Sequence, residues 1–449
     1  MSPTTSTGTA ATIAPAGQAG GAKTMNRDKL LMLVATAARM GVGMLTFVVM
    51  AHSLDPAAFG VLATAIAYAA FVSVVSDYGL GISALRLASA EPERAGEIVT
   101  HAMVTKLLLS ALVAVVFLGG AAVLRPAQLG IYAMALVGCL TYAFGDLQMI
   151  AARARQRFDV EAVIVTTTSV VIMLLVGGTA LLTHSTVLTA AAFMISRIIY
   201  LVTSGIVLRR WLGIAIGWRC SVEDLKAMLA RSSTYAVDAI LTTLSSQVDV
   251  LLFGAVLAAH DIGIYQSGAR LVQVIMPFAV ALATVYMPTL AAAALNSQPE
   301  VFRQNSRRIN IEFTALAIIG TLGFIIVGPV FTKLVYGSRY DALIPLWRGF
   351  GVFVMLRMGG ACYGIQLSAL GFIRTRITAQ IASVAAFVVL AAVALPHYGL
   401  PITSWLLAGA SVPSTLVLWF AMFRDERSDA SALWSLVVMA AVSIACVII

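Results

Sequence analysis

Residues 48–70 read VVMAHSLDPAAFGVLATAIAYAA, and residues 251–273 read LLFGAVLAAHDIGIYQSGARLVQ. At a constant offset of 203, Leu54 falls on Leu257, Phe59 on Ile262, Gly60 on Gly263 and Val61 on Ile264. Each stretch is a long apolar run, a short turn and a second long apolar run. The chain has written one hairpin twice, so it reads as two similar halves. In a membrane protein, two such halves imply two bundles that rock about a site between them, which is the architecture of a carrier.

Composition places the hairpins in lipid. Of 449 residues, 60% are hydrophobic and only 11% are charged. A water-soluble chain is roughly a quarter charged, so this one has too little polar surface to coat a globule. The net charge of +9 comes from basic residues scattered between apolar runs, and no basic domain calls for nucleic acid. Cys139, Cys220, Cys362 and Cys446 lie far apart, with no CxxC or Cys/His spacing, and indicate neither a disulfide framework nor a metal site. Residues 1–22 are rich in Ala, Gly, Thr and Ser, and residues 1–27 read as a disordered cytoplasmic tail with no cleavable signal.

A helical span needs about 20 apolar residues. Such runs lie near 30–52, 57–80, 98–120, 128–150, 160–183 and 185–208. They resume near 231–257, 262–293, 308–330, 343–370, 376–396, 400–422 and 432–449. The expected fold class is an all-α integral membrane protein of about 12–13 transmembrane helices in two similar lobes. Every second loop is basic: Lys23, Arg27 and Lys29; Arg86 and Arg94; Arg153, Arg155 and Arg157; Arg209, Arg210, Arg219 and Lys226; Arg303, Arg307 and Arg308; Arg374 and Arg376; Arg424 and Arg427. The opposite loops hold little beyond Arg125, Lys333, Arg339 and Arg348. Basic loops favour the cytoplasm, so the N-terminus is expected there.

RRWLGIAIGWRCSVEDLKAMLARSS (209–233) divides the chain. Trp211, Leu212, Ile214 and Trp218 suggest an interfacial piece, and Ser221 before Glu223 and Asp224 suggests a helix N-cap with an acidic first turn. The expected domains are a six-helix lobe over 28–210, a linker over 211–230, a second six-helix lobe over 231–422 and an extra helix within 423–449. A second echo supports two lobes: QMIAARARQRF (148–158) resembles QLSALGFIRTR (366–376) at offset 218.

Ionisable side chains within the spans are the candidate site, because a charge at the bilayer centre costs about 2.5–3.5 kcal/mol and faces a cavity or a partner. Arg39 sits in the first span and Arg357 near the middle of the tenth, neither with an acidic neighbour at helical spacing. Arg270 and Asp249 flank the second hairpin turn at nearly equal distance, as a structural ion pair or as part of a site. Asp238 lies on the same helix as Asp249, nearer the cytoplasm. Asp77 reads first as a helix-end anchor, and Asp146, Lys106 and Arg197 as side chains that reach for the interface. The guanidinium fork suits phosphate oxygens; deep arginines attract an anionic headgroup and repel organic cations. Pro277, Pro288 and Pro413 read as kinks. GLGISA (79–84) joins two helices as a turn, not a dinucleotide loop. No catalytic motif is present, and the five histidines form no proton relay.

The motifs carry a resemblance. LDPAAFGVLATA (54–65), then VSDYGLGISALRLAS (75–89), SQVDVLLFGAVLAAHDIGIYQSGARLVQ (246–273), MPTLA (287–291) and LVYGSRYDAL (334–343) resemble the polysaccharide flippases of the multidrug/oligosaccharidyl-lipid/polysaccharide exporter superfamily. The resemblance runs from about residue 28 to 422, and the lone thirteenth span departs from the family's usual twelve or fourteen. It implies a V-shaped central cavity and an inner-membrane carrier without enzymatic activity. The implied cargo is undecaprenyl-diphosphate-linked oligosaccharide, moved to the periplasmic leaflet for exopolysaccharide, capsule or O-antigen (lipopolysaccharide) synthesis. Arg39, Arg270 and Arg357 are then the expected headgroup ligands. No cofactor is implied beyond coupling to a proton or sodium gradient, for which Asp249 and Asp238 are the candidates. Expected partners are the lipid-linked oligosaccharide, membrane lipids and the polymerase and chain-length proteins of the pathway, with no nucleic acid. The alternatives are a multidrug or other lipid-linked precursor exporter of the same fold, and a membrane glycan polymerase or ligase. The short outer loops speak against the last.

Overall fold

The computed structural model describes residues 38–217, 220–425 and 431–448. The expected tail at 1–27, the start of the first span, Trp218, Arg219 and Arg427 lie outside these residues. Helices are the regular structure of the described residues, with no strand among them.

Helix α1 spans 38–53 and turns into α2 (Pro56–Asp77). The turn is built by its own residues: Asp55 caps α2 by accepting the Ala57 N–H at 3.1 Å, and Pro56, with no N–H to satisfy, occupies the first helical turn. At the far end of α2, Tyr78 and Gly79 take left-handed conformations (φ 47° and 73°) that stop the helix. A short α3 (Leu80–Ala90) then runs along the basic-loop side. Gly79 is required there, because a Cβ would lie 2.7 Å from Tyr235 Cβ and 2.8 Å from the Ala236 nitrogen. The turn expected over GLGISA is confined to Tyr78 and Gly79, and Leu80–Ala84 already belong to α3.

The first bundle continues with α4 (Ala95–Leu124), α5 (Leu129–Ala154), α6 (Phe158–Ile172) and α7 (Gly178–Thr183), the last two joined by one π-helical turn, and ends with α8 (Thr186–Trp211). A strap over 212–217 follows. It is not helical, and Ile214 is buried against the start of α4 rather than lying at an interface. The long α9 (Val222–Val256) opens on a capping box: Ser221 Oγ accepts the Asp224 N–H at 3.1 Å, and Asp224 returns the bond to the Ser221 N–H at 3.2 Å. Its two arms, Val222–Val237 and Thr242–Val256, meet at a 65° bend.

The second bundle comprises α10 (Ala259–Val272), α11 (Met276–Leu295), α12 (Pro299–Phe331), α13 (Leu346–Ala369), α14 (Ile373–Tyr398), α15 (Thr403–Phe423) and α16 (Ser431–Ile448). Pro277 does more than kink a helix: α10 ends in a 3₁₀ turn, and α11 begins at the proline. Pro288 and Pro413 lie inside α11 and α15.

Ten of the described helical segments are long and apolar enough to cross a membrane, and the bent α9 makes an eleventh. The described part of α1 and the 18-residue α16 are shorter apolar helices, so eleven full-length spans are described where 12–13 were expected. The last helix is fastened to the second bundle by hydrogen bonds that lipid cannot replace. Tyr363 Oη and Ser435 Oγ lie 2.7 Å apart, Asn310 donates to Ser431 at 2.9 Å, and Trp419 donates to the Ala432 carbonyl at 3.1 Å.

The two written hairpins touch. A Cβ on Gly60 would lie 1.9 Å from the Ala259 carbonyl oxygen, and one on Gly263 would lie 1.9 Å from that of Pro56. The offset of 203 that relates Gly60 to Gly263 also relates Pro56 to Ala259, so each half makes the same contact on the other. A pseudo-two-fold axis therefore passes between α2 and α10. On the same hairpin side, Arg339 donates to the His52 carbonyl at 3.2 Å, and the His52 imidazole meets the Val335 carbonyl. The halves are shut together at this end.

Candidate functional site

Two of the cavities among the helices are lined by charged side chains. The first, about 450 Å³, sits where the bundles meet and is lined from both: Asp77, Lys106, Tyr142, Asp146 and Arg197 come from the first, and Gln247 and Arg270 from the second. The second, about 510 Å³, lies within the second bundle and holds Arg357 and Arg376 among Thr242, Ser246, Gln380 and Ser414.

Charge is balanced unevenly in the first cavity. The Lys106 ammonium is buried and contacts Asp77 Oδ1 at 2.5 Å, while Asp77 Oδ2 accepts the Gly81 N–H at 3.2 Å. Asp77 is thus the helix-end anchor expected, and also a counter-ion. Lys106 does not reach for the interface. Asp146 and Glu161 share the single charge of Arg153, at 2.8 and 2.7 Å. Arg197 and Arg270 have no carboxylate within 4 Å among the described residues. The Arg197 guanidinium lies 4.5 Å from the Tyr142 ring centre and 5.0 Å from that of Phe193. Arg270 lies 4.7 Å over Phe47 of α1 and makes one 3.5 Å contact to Gln273. The Nε of each is buried without a hydrogen-bond partner. A cation on an aromatic face gains about 0.5–2 kcal/mol, well short of what a desolvated guanidinium loses on leaving water. The cavity therefore holds two guanidiniums with no direct counter-ion among the described residues, and a net positive charge.

The expected residues fall into three places. Arg39 is joined to the first cavity, its Nη1 donating to the Tyr142 hydroxyl at 3.3 Å. Arg270 lines that cavity. Arg357 lines the second, with no hydrogen bond or ion pair among the described residues. The three arginines thus do not share one pocket. Asp249 and Arg270 form no ion pair within 4 Å. Antiparallel packing brings them to similar depth, but the Tyr265 hydroxyl donates to Asp249 Oδ2 at 2.5 Å and the guanidinium turns to Phe47. Asp238 stands beside the bend of α9, and its side chain lies outside the description.

Arg197 and Lys106 are the site residues that sequence reasoning undervalued. Both lie toward the basic-loop ends of their helices, where a long side chain normally finds water. The missed signal was the aromatic company of Arg197, Phe193 at i−4 on the same helix.

The second cavity has a different chemistry. Ser246, Ser383, Ser411 and Ser414 each donate their hydroxyl hydrogen to a backbone carbonyl at 2.9–3.0 Å. Their remaining capacity is to accept. Arg357 and Arg376 supply the donors, Arg376 being steadied by Ser368 at 2.7 Å, and no carboxylate lines this cavity.

This fold, long apolar helices in two pseudo-symmetric bundles around a polar cavity, is the one seen in solved transporters and flippases of the multidrug/oligosaccharidyl-lipid/polysaccharide superfamily. Over 90% of this chain and 95% of the other, it matches the inward-facing conformation of a multidrug resistance transporter of that superfamily (TM-score 0.64, 14% identity). It matches the inward closed conformation of the lipid II flippase MurJ over 93% and 98% of the chains (TM-score 0.67, 11% identity). It also matches a superfamily transporter from Pyrococcus furiosus Vc1, described by the reverse polarity of its binding pocket, over 92% and 96% (TM-score 0.58, 15% identity). No curated protein sequence matches the chain. Residues 49–345 match the polysaccharide biosynthesis protein family, and the chain belongs to it. It is a multi-pass membrane protein with the fold of these transporters and flippases.

Proposed function

We propose that this protein flips undecaprenyl-diphosphate-linked oligosaccharide across the bacterial inner membrane by alternating access, from the cytoplasmic to the periplasmic leaflet. The basic loops face the cytoplasm, and the hairpins face the periplasm. The observation that carries the reading is the pair of guanidiniums, Arg197 and Arg270, left without counter-ions in a cavity to which both bundles contribute. A diphosphate supplies the missing charge and the planar oxygen pairs that arginine binds bidentately. Arg39, one hydroxyl away through Tyr142, adds a third cation. The second cavity, with guanidinium donors and hydroxyl acceptors, suits the glycan carried behind the diphosphate, and Arg357 is its central ligand. Asp249, held by Tyr265, is the group we assign to ion coupling, with Asp238 further along α9.

Export of surface polysaccharide tests this assignment. Arg270→Ala and Arg357→Ala are expected to abolish export at normal membrane abundance, with lipid-linked oligosaccharide accumulating on the cytoplasmic leaflet. Full export by both variants would remove both cavities from the pathway. The alternative of an organic-cation exporter sits poorly with unneutralised arginines, which repel such cargo. Drug sensitivity on deletion, with polysaccharide unchanged, would restore it.

A further inference from the structure

The strap between the bundles brings together three side chains that are far apart in sequence. His101 lies on α4, Cys220 at the end of the strap and Asp224 in the first turn of α9. One donor atom from each lies within 4.8 Å of the other two, and His101 Nε2 is 3.7 Å from Asp224 Oδ2. All three are half-buried. We propose that these residues form a binding site for a borderline-soft divalent cation, Zn²⁺ by donor chemistry, on the basic-loop face of the protein.

The donor set selects the ion. A thiolate, an imidazole and a carboxylate together suit Zn²⁺, whereas Mg²⁺ and Ca²⁺ take oxygen ligands. Tetrahedral bonds of about 2.0–2.3 Å place neighbouring donors roughly 3.3–3.8 Å apart; the His101–Asp224 distance already fits, and the thiol must close by about 1 Å or less. A thiolate and a carboxylate also neutralise the ion's two charges, with water free to take the fourth position.

The surroundings hold the donors in place. The Ser221 hydroxyl donates to Asp224 Oδ2 at 2.6 Å and its N–H at 3.2 Å, orienting the carboxylate as an outer partner of a metal ligand does. One turn before the site, the Gly217 N–H donates to Thr100 of α4 at 2.9 Å, and Arg155 holds the Leu212 carbonyl at 3.1 Å. The strap is therefore laid along α4 before it reaches Cys220.

The position gives the ion a consequence. The first arm of α9 rests on the first bundle, with Arg86 donating to the Tyr235 hydroxyl at 2.8 Å. The second arm, beyond the 65° bend, packs on α2. A metal at His101, Cys220 and Asp224 fastens the start of that first arm to α4. It stiffens the segment through which one bundle is covalently joined to the other.

Cys220 reports the site, because Cys139, Cys362 and Cys446 are buried. In the purified full-length protein, Zn²⁺ is expected to slow maleimide labelling of Cys220 by about tenfold, since a coordinated thiolate is withheld from attack. Mg²⁺ is expected to have no effect. Zn²⁺ should also slow hydrogen exchange over residues 212–225, and His101→Ala should lose both responses. Equal labelling with and without Zn²⁺, or protection that survives in His101→Ala, overturns the proposal. Co²⁺ gives a second readout independent of labelling: a thiolate-to-cobalt absorption band in the unmodified protein that is absent from Cys220→Ser. No such band in the unmodified protein also overturns it.

Discussion

The two copies of the hairpin share their backbone and differ in their charges. Both place a glycine at the same step, and both press it against the other copy. Yet position 270 is arginine where position 67 is alanine, position 249 is aspartate where position 46 is threonine, and position 39 is arginine where position 242 is threonine. The shared residues are those that backbone contact demands. Of the unshared ones, Arg270 lines the first cavity, Arg39 donates to its Tyr142, and Asp249 is held by Tyr265. The difference teaches that architecture was kept by both halves while binding was distributed between them.

Three experiments press on that comparison. The largest effect is expected at the unshared charge: Arg270→Ala should abolish export, and Arg270→Lys should restore only part of it, because an ammonium cannot reproduce the bidentate fork. Export rates normalised to membrane abundance measure both, and equal activity of the lysine variant would reduce the arginine to a mere positive charge. Next is the pair confined to the first bundle. Lys106→Met leaves Asp77 without its counter-ion and should lower stability by about 3–5 kcal/mol. The double variant Lys106→Met/Asp77→Asn should recover most of that loss, as read by thermal unfolding in detergent. No recovery would mean that the two residues act separately. A smaller effect is expected at the shared glycines. Gly60→Ala and Gly263→Ala force a backbone shift that costs about 1–3 kcal/mol each. Because the contact is reciprocal, the two losses should agree within about 0.5 kcal/mol. A large inequality would break the pseudo-symmetry.

Much of the fold was legible because lipid is a strict solvent. The long apolar helices followed from apolar runs, and the α9 cap followed from Ser221 and Asp224. What the sequence could not convey was direction. Arg270 and Asp249 stand at matching depth, but which way a side chain turns around its helix depends on neighbours such as Phe47 and Tyr265, which come from other turns of the chain. The same reason hid Arg197, which reads as a terminal side chain until Tyr142 arrives from α5. The separation of Arg357 from the other arginines was equally invisible, since depth along a helix does not say which bundle's interior a residue enters. His101 and Cys220, 119 positions apart in the chain, met through a strap whose path no periodicity describes.

The contact of Gly60 with Gly263 has a mechanical meaning. It is made by main chain on both sides, with no rotamer to change and no knob seated in a hole. Side chains packed between two bodies act as teeth, and tilting such a joint forces them past one another. Two bare backbones crossing on a symmetry axis form a bearing instead. A joint of that kind lets either half roll on the other while the distance between them stays fixed, and the Arg339 bond to the His52 carbonyl near the end of α1 lies on the same side.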